Sequence, residues 1–312
     1  MTARNRLFGP VDPATEAGYV DPPPRKGFFT DTSVCIGCKA CEVACKEWNE
    51  VPDDGFDLLG MSYDNTGSLS ADTWRHVAFI EQPGRGAHPP TPPVDLGMPG
   101  ASPPEVQLPD SGTDDDHPDF RWLLSSDVCQ HCTHAACLAV CPTGALFRTE
   151  FDTVYVQPDI CNGCGYCVPA CPYGVIERRT GDKGTKNVGI AQKCTLCYDR
   201  LDAGQRPACA QACPTESIQF GDVTELRERA NQRVAKLHDA GIMDARLYGN
   251  DPDDGVGGAG AFFLLLDEPE VYGFPPDPVV TTRDLPEMYK RAATAAAALL
   301  AGAVLSFVGR RS

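Results

Sequence analysis

Sixteen cysteines carry the first chemical statement of this sequence. They fall into four quartets with none left over: Cys35, Cys38, Cys41 and Cys45; Cys129, Cys132, Cys137 and Cys141; Cys161, Cys164, Cys167 and Cys171; Cys194, Cys197, Cys209 and Cys213. The first and third read C-x2-C-x2-C-x3-C, the bacterial ferredoxin spacing. Three thiolates two residues apart wrap one corner of a cubane, with backbone N–H groups facing its sulfides. The fourth cysteine begins a helix that leads away and ligates the other cluster of a pair. A tetrahedral zinc site wants two C-x2-C hairpins separated by a longer loop, and the second and fourth quartets fit that pattern in isolation. Beside their neighbours, all sixteen are expected to serve as iron ligands of four [4Fe–4S] clusters. Full cysteine ligation leaves no open iron position for substrate. No nucleophile–base constellation, dinucleotide loop, phosphate loop or H-E-x-x-H accompanies them, so electron transfer is expected and no catalytic residue is assigned.

Three quartets share an exit. Cys141-Pro142, Cys171-Pro172 and Cys213-Pro214 each open a C-P-x-[GE]-x-apolar turn ending at Leu146, Ile176 and Ile218. Proline stops the short helix that bears the last ligand, and the apolar residue is expected to pack beneath the cluster. Lys46 replaces proline in the first quartet, so that helix runs on through Glu47 and Trp48. His131 and His134 lie inside the second quartet, where four thiols already suffice; roles around the cluster or at the surface are expected. Lys39, Lys46 and Lys193 adjoin ligands, either as solvated surface or, with Lys193 the best candidate, as cations that raise a cluster's potential by favouring its reduced, more negative state.

The composition bounds the rest. With 27 Lys+Arg against 43 Asp+Glu the net charge is −16, which argues against nucleic acid as a partner. Each oxidised cluster with its thiolates adds about −2, taking the loaded chain to about −24. The N-terminal stretch through Tyr19 has no apolar signal-peptide core, so reduced thiols are expected rather than disulfides. Residues 1–30 read as an extended arm, more suited to a partner than to a domain. Residues 82–118 hold ten prolines and the run Asp114–Asp116, an irregular solvated insertion. Ala145–Arg148 and Thr153–Val156 bracket a hairpin turn. Asp222 and Glu225 fit a capping box before a helix with Leu226, Ala230, Val234 and Leu237 on one face, ending near Gly241. Ala261–Leu266 reads as a buried strand.

The block from about 126 to 180 makes one complete two-cluster unit, and the first and fourth quartets are left to pair around it. Adjacency alone would pair the first with the second, and the sequence permits either. The α+β reading is two ferredoxin-like dicluster units, one inserted in the other: an outer unit from 31–81 and 181–250, an inner unit from 119–180, an extended 251–289, and a terminal helix over 290–309. Ala292–Gly309 is 18 residues without a charge, about 27 Å as a helix, and close to a bilayer's hydrocarbon thickness of roughly 30 Å. It is apolar all round, which suits lipid better than a soluble surface. Basic pairs flank both ends and leave its orientation open.

Cys35–Asn49, Lys193–Arg200, Gln232–Leu237, Gly255–Gly258, Pro269–Tyr272 and the closing apolar helix together resemble the iron–sulfur beta subunits of membrane-bound respiratory formate dehydrogenases, over about 31–81 and 119–309. The four-cluster arrangement by itself is similar to beta subunits of many molybdopterin oxidoreductases, among them nitrate, dimethyl sulfoxide and polysulfide reductases. A soluble polyferredoxin is the reading from another class. The resemblance implies nested pairing, with clusters on Cys35, Cys38, Cys41 and Cys213; on Cys45, Cys194, Cys197 and Cys209; on Cys129, Cys132, Cys137 and Cys171; and on Cys141, Cys161, Cys164 and Cys167. It also implies a catalytic alpha subunit holding a molybdenum or tungsten pterin that oxidises formate. Its other implied partner is a membrane haem b gamma subunit that reduces quinone, with the chain a single-pass membrane protein whose iron–sulfur part is extracytoplasmic. The 82–118 insertion is longer than the pattern of that family, and the acidic tail after the helix is absent.

Overall fold

The computed structural model describes residues 4–5, 9–10, 13–54, 63–64, 66–82, 121–181 and 185–308. After a short antiparallel pair at Arg4–Asn5 and Gly9–Pro10, the strands in chain order are β1 (Lys26–Asp31), β2 (Arg75–Gln82), β3 (Arg121–Val128), β4 (Leu146–Arg148), β5 (Val154–Val156), β6 (Glu177–Arg178), β7 (Ala191–Gln192), β8 (Ile218–Asp222), β9 (Arg246–Tyr248) and β10 (Ala261–Leu265). After one helical turn at Pro13–Glu16, the α-helices are α1 (Ala40–Asn49), α2 (Ala136–Ala139), α3 (Cys167–Ala170), α4 (Tyr198–Asp202), α5 (Ala208–Ala212), α6 (Val223–Asp239) and α7 (Leu285–Val308).

The scaffold is a four-stranded sheet in the order β8-β1-β10-β9. Strand β10 runs parallel to β1, while the two outer pairs are antiparallel. All five residues of β10 are buried, because both faces of the strand are covered. One face, with Phe29, Phe262 and Leu264, packs on Val223, Leu226, Ala230 and Leu237 of α6. The other, with Phe28, Phe263 and Leu265, packs into a core that contains Cys41, Cys129, Cys194 and Cys209. A strand buried on both sides reads as a continuous apolar run, which is why Ala261–Leu265 shows no alternation. The antiparallel register Ile218 opposite Thr30 and the Asp31 N–H bond to the Ser217 carbonyl (2.8 Å) bring the segments leading to Cys35 and from Cys213 to one end of the sheet.

The expected hairpin is present, with Leu146 opposite Val156 and Arg148 opposite Val154. Helix α1 continues through Glu47 and Trp48, as the missing proline implies, and α6 carries the anticipated apolar face. Strand β1 begins inside the stretch read as an arm, and its Phe28 and Phe29 are fully buried. Strands β2 and β3 pair antiparallel over eight residues each, an element the local pattern does not signal. The proline-rich 82–118 expectation, apart from Gln82, lies outside the described residues.

The capping box is not formed. Asp222 stands at the N-cap but makes no side-chain cap bond, because its carboxylate is taken by the Lys26 ammonium. Helix α7 is long and apolar over Met288–Phe307, and that span is not buried against the rest of the protein.

Where β1 meets the loop before β10, a Cβ placed on Gly27 would lie 1.9 Å from the Gly260 carbonyl oxygen, the same oxygen that accepts from the Phe28 N–H at 2.8 Å. Neither backbone can give way without losing the parallel ladder. Gly27→Ala is therefore expected to destabilise the chain by about 3 kcal/mol, read as a lowered thermal midpoint.

Candidate metal centre

Among the described residues, three cavities have cysteine walls. One of about 290 Å³ is lined by Cys35, Cys38, Cys41 and Cys213. A second, of about 360 Å³, is lined by Cys129, Cys132, Cys137 and Cys171, and a third, of about 320 Å³, by Cys141, Cys161, Cys164 and Cys167. The remaining four thiols also face one another: Cys45 is crowded by Cys194, Cys209 and Cys197. Three of the four quartets line an open space, and among the described residues no three donors converge on a single ion. That donor set, sulfur alone around a space wider than one atom, fits a polynuclear iron–sulfur cluster rather than mononuclear zinc.

Two pairs of short helices bring the thiols together. Helix α1 carries Cys41 and Cys45, four residues apart and so one turn along the same face. Its packing partner α5 carries Cys209, with Cys213 at its C-cap. Each helix therefore supplies a thiol to two quartets. The packed pair α2 and α3 repeats the device, with Cys137 on α2 and Cys141 just beyond it, and Cys167 on α3 with Cys171 at its C-cap.

The first C-x2-C of every quartet makes the same backbone bend. The residue before the second cysteine is left-handed in all four, with φ of 65° at Gly37, 46° at His131, 72° at Gly163 and 57° at Leu196. Only two copies use glycine, so the bend is imposed on His131 and Leu196 by their surroundings. In the exit turns, the second residue after proline is left-handed at Gly144, Gly174 and Glu216, and N–H groups then point back at sulfur. Burial opposes ionisation of Cys141, yet bonds from the Leu146, Thr143 and Ala145 N–H groups and the Thr143 hydroxyl lower its pKa. The Val175, Tyr173 and Gly174 N–H groups aim likewise at Cys171. The apolar residues closing the turns, Leu146, Ile176 and Ile218, are buried and line the three cavities, as the repeat implies.

Burial and crowding push most of the other thiols up. Cys41, Cys137 and Cys194 are raised to about 12, each chiefly by burial, and Cys45 and Cys132 lie well above the ordinary value for burial and neighbouring thiols. At neutral pH such groups hold their protons unless a metal takes the thiolate, so loading releases protons and is favoured as pH rises.

Of the three lysines, Lys193 and Lys39 line cavities, while Lys46 lies at the surface in an ion pair with Asp54. Lys193 is buried, donating to the carbonyls of Val154 (2.5 Å) and Cys194 (2.9 Å). Lys39 reaches Asp64 and Glu42 and lies over the Phe79 ring, whereas Lys46 is engaged by Asp54 and the carbonyls of Pro52 and Asp72. His131 is fully buried and lines the second cavity. Its Nδ1 accepts from the Val154 N–H at 3.1 Å, and burial, with Lys193, Arg25, Arg148 and Arg75 nearby, holds its pKa well below the usual histidine value. Its proton therefore sits on Nε2, which has no protein partner. His134 is not among the cavity-lining residues. Arg75, placed near the thiols by β2, is a residue that reading the cysteine motifs misses entirely, since it lies 30 positions from the nearest cysteine before it.

Models described as a 4Fe–4S dicluster domain match residues 34–145 and 120–223. The chain is 37% identical over 256 residues to the nitrate-inducible formate dehydrogenase iron–sulfur subunit of Escherichia coli (strain K12), covering 81% of this chain and 73% of that one. It is 35% identical over 286 residues to the formate dehydrogenase-O iron–sulfur subunit of the same organism, covering 89% and 81%. The B subunit of anaerobic dimethyl sulfoxide reductase, also from Escherichia coli (strain K12), is 30% identical over 209 residues, covering 67% and 79%.

Replacing Lys193 by methionine keeps the volume but strands two buried carbonyls. Lys193→Met is expected to cost about 2 kcal/mol of stability, measured as a shift in the denaturation midpoint.

Proposed function

The chain belongs to the formate dehydrogenase iron–sulfur subunits, a family of electron-transfer relays, and we propose that it carries electrons from a molybdenum- or tungsten-pterin subunit that oxidises formate to a membrane haem b subunit that reduces quinone. The observation that carries the relay role is four all-cysteine quartets in one small domain pair. When bound, each [4Fe–4S] group supplies a one-electron redox centre with every iron capped by protein.

Cys35, Cys38, Cys41 and Cys213 would hold one cluster; Cys45, Cys194, Cys197 and Cys209 the next; Cys129, Cys132, Cys137 and Cys171 the third; and Cys141, Cys161, Cys164 and Cys167 the fourth. This pairing nests the inner unit within the outer one, and the shared cavities and crossed helix pairs support it. Neighbouring thiols also suggest the order of the relay. Cys41 is affected by Cys209, Cys194 by Cys129, and Cys137 by Cys167, so each of the four sites abuts the next in the order just given. Cys38 and Cys164, in the two terminal sites, are exposed, while all four thiols of the second site are buried. Electrons then enter and leave at the ends, and the buried middle excludes water and stray acceptors.

Helix α7 anchors the chain in the membrane in a single pass, with the iron–sulfur part on the extracytoplasmic side as the family resemblance implies. Its exposed Leu299, Leu300, Val304, Leu305 and Phe307 support contact with lipid or with apolar helices of the membrane partner. The relation to the dimethyl sulfoxide reductase B subunit supplies the alternative, the same relay for another molybdopterin enzyme. Failure of the purified complex to reduce a dye with formate would favour that alternative.

Cys209→Ser removes a thiolate from the second site. The complex should lose about four of about sixteen irons, and formate-driven quinone reduction should fall at least about tenfold while formate-to-dye activity at the catalytic partner persists. A chain ending at Lys290 and expressed without partners should leave the membrane fraction that retains the full-length chain; unchanged retention would contradict the anchor.

A further inference from the structure

Arg75 is 1% exposed, and among the described residues no carboxylate lies within ion-pair distance of it. Its Nη1 donates to the Ser126 hydroxyl (2.9 Å) and carbonyl (3.3 Å). The guanidinium lies 4.8 Å from the centre of the Phe28 ring, which screens it from the sheet. Nε and Nη2 are buried with no protein partner. Arginine stays protonated in proteins, so this is a fixed positive charge with two unused donors, an arrangement that is strongly destabilising unless something negative meets it.

Its charge reaches sulfur through Ser126 and across the core. Ser126 Oγ, which accepts from Arg75, is also 3.3 Å from Cys41 Sγ, and the guanidinium acts on Cys209, Cys41, Cys194 and Cys45. Those thiols belong to the first two sites. Asp127 also feels the charge, but burial raises its own acid to about 7 and it forms no ion pair with Arg75.

We propose that Arg75 sets the reduction potential of the two clusters held by the Cys41 and Cys45 quartets, donating from Nε and Nη2 to their sulfur. The proposal rests on the cluster assignment above. Reduction adds one electron, from the formate-oxidising side, and makes either site one unit more negative, with no bond formed and no proton leaving Arg75. A buried fixed cation whose field acts on thiols of both quartets stabilises that state and raises both potentials. Hydrogen bonds to cluster sulfur act in the same direction.

The test is a potentiometric titration followed by EPR on the anaerobically purified complex, with iron counted in each sample. Arg75→Met should keep about sixteen irons and shift the reduction equilibrium of the first two clusters at least about tenfold, about 59 mV downward for a one-electron couple. The cluster on Cys141, Cys161, Cys164 and Cys167 should not move. Four unmoved potentials with full iron, or an equal shift at all four, would overturn the proposal. A purely structural buried charge gives the first of those results, because an apolar replacement is then neutral or stabilising. Should Arg75→Met not retain iron, Arg75→Gln carries the test: it removes the charge and keeps a polar amide that can still hydrogen-bond. A fall confined to the same two potentials supports the proposal, and unmoved potentials contradict it. Iron deficiency in the unsubstituted complex would instead refute the cluster assignment.

Discussion

Four thiolates around one space repel each other, and the protein must still hold them together inside a medium that penalises charge. The rise of Cys41, Cys137 and Cys194 to about 12 expresses that penalty, and only a metal cluster removes it. The rest of the architecture serves this gathering. Packed helix pairs with thiols one turn apart feed two sites each, the exit turns aim N–H groups at sulfur, and the sheet β8-β1-β10-β9 brings the segments flanking Cys35 and Cys213 to one end.

Charge is distributed to the same purpose. The chain has a strong acidic excess, yet Arg75, Lys193, Arg148 and Arg200 are all buried. Arg148 spans the Asp152 carboxylate and the carbonyls of Cys132 and Thr133. Arg200 lies over the Trp48 ring at 4.1 Å, tying α4 to α1. Cations at interior sites near sulfur, with an acidic exterior, offset the negative charge that loading adds.

Much of this was legible in the cysteine spacing, because ligand geometry is local: four quartets, the exit repeat and its three buried apolar residues all follow from short-range pattern. The hairpin at 146–156, the α6 face and the β10 run were legible for the same reason. What escaped depends on contacts far apart in sequence. Lys26–Asp31 reads as the end of an arm until β8 and β10 flank it, and β2 finds β3 only across a long intervening segment. The Asp222 cap was lost to Lys26, some two hundred residues earlier in the chain. Lys39 and Lys46 look solvated until Asp64 and Asp54 fold onto them, and nothing near Arg75 in the sequence announces sulfur.

Every functional role assigned to the chain depends on sixteen cysteines making four cubane sites. The most direct test is Mössbauer spectroscopy with metal and sulfide analysis of the anaerobically purified full chain. About sixteen irons and about sixteen sulfides per chain are expected, all in [4Fe–4S] form. Zinc in place of iron, or a spectrum with markedly fewer cubane irons in intact protein, would contradict the four-cluster relay.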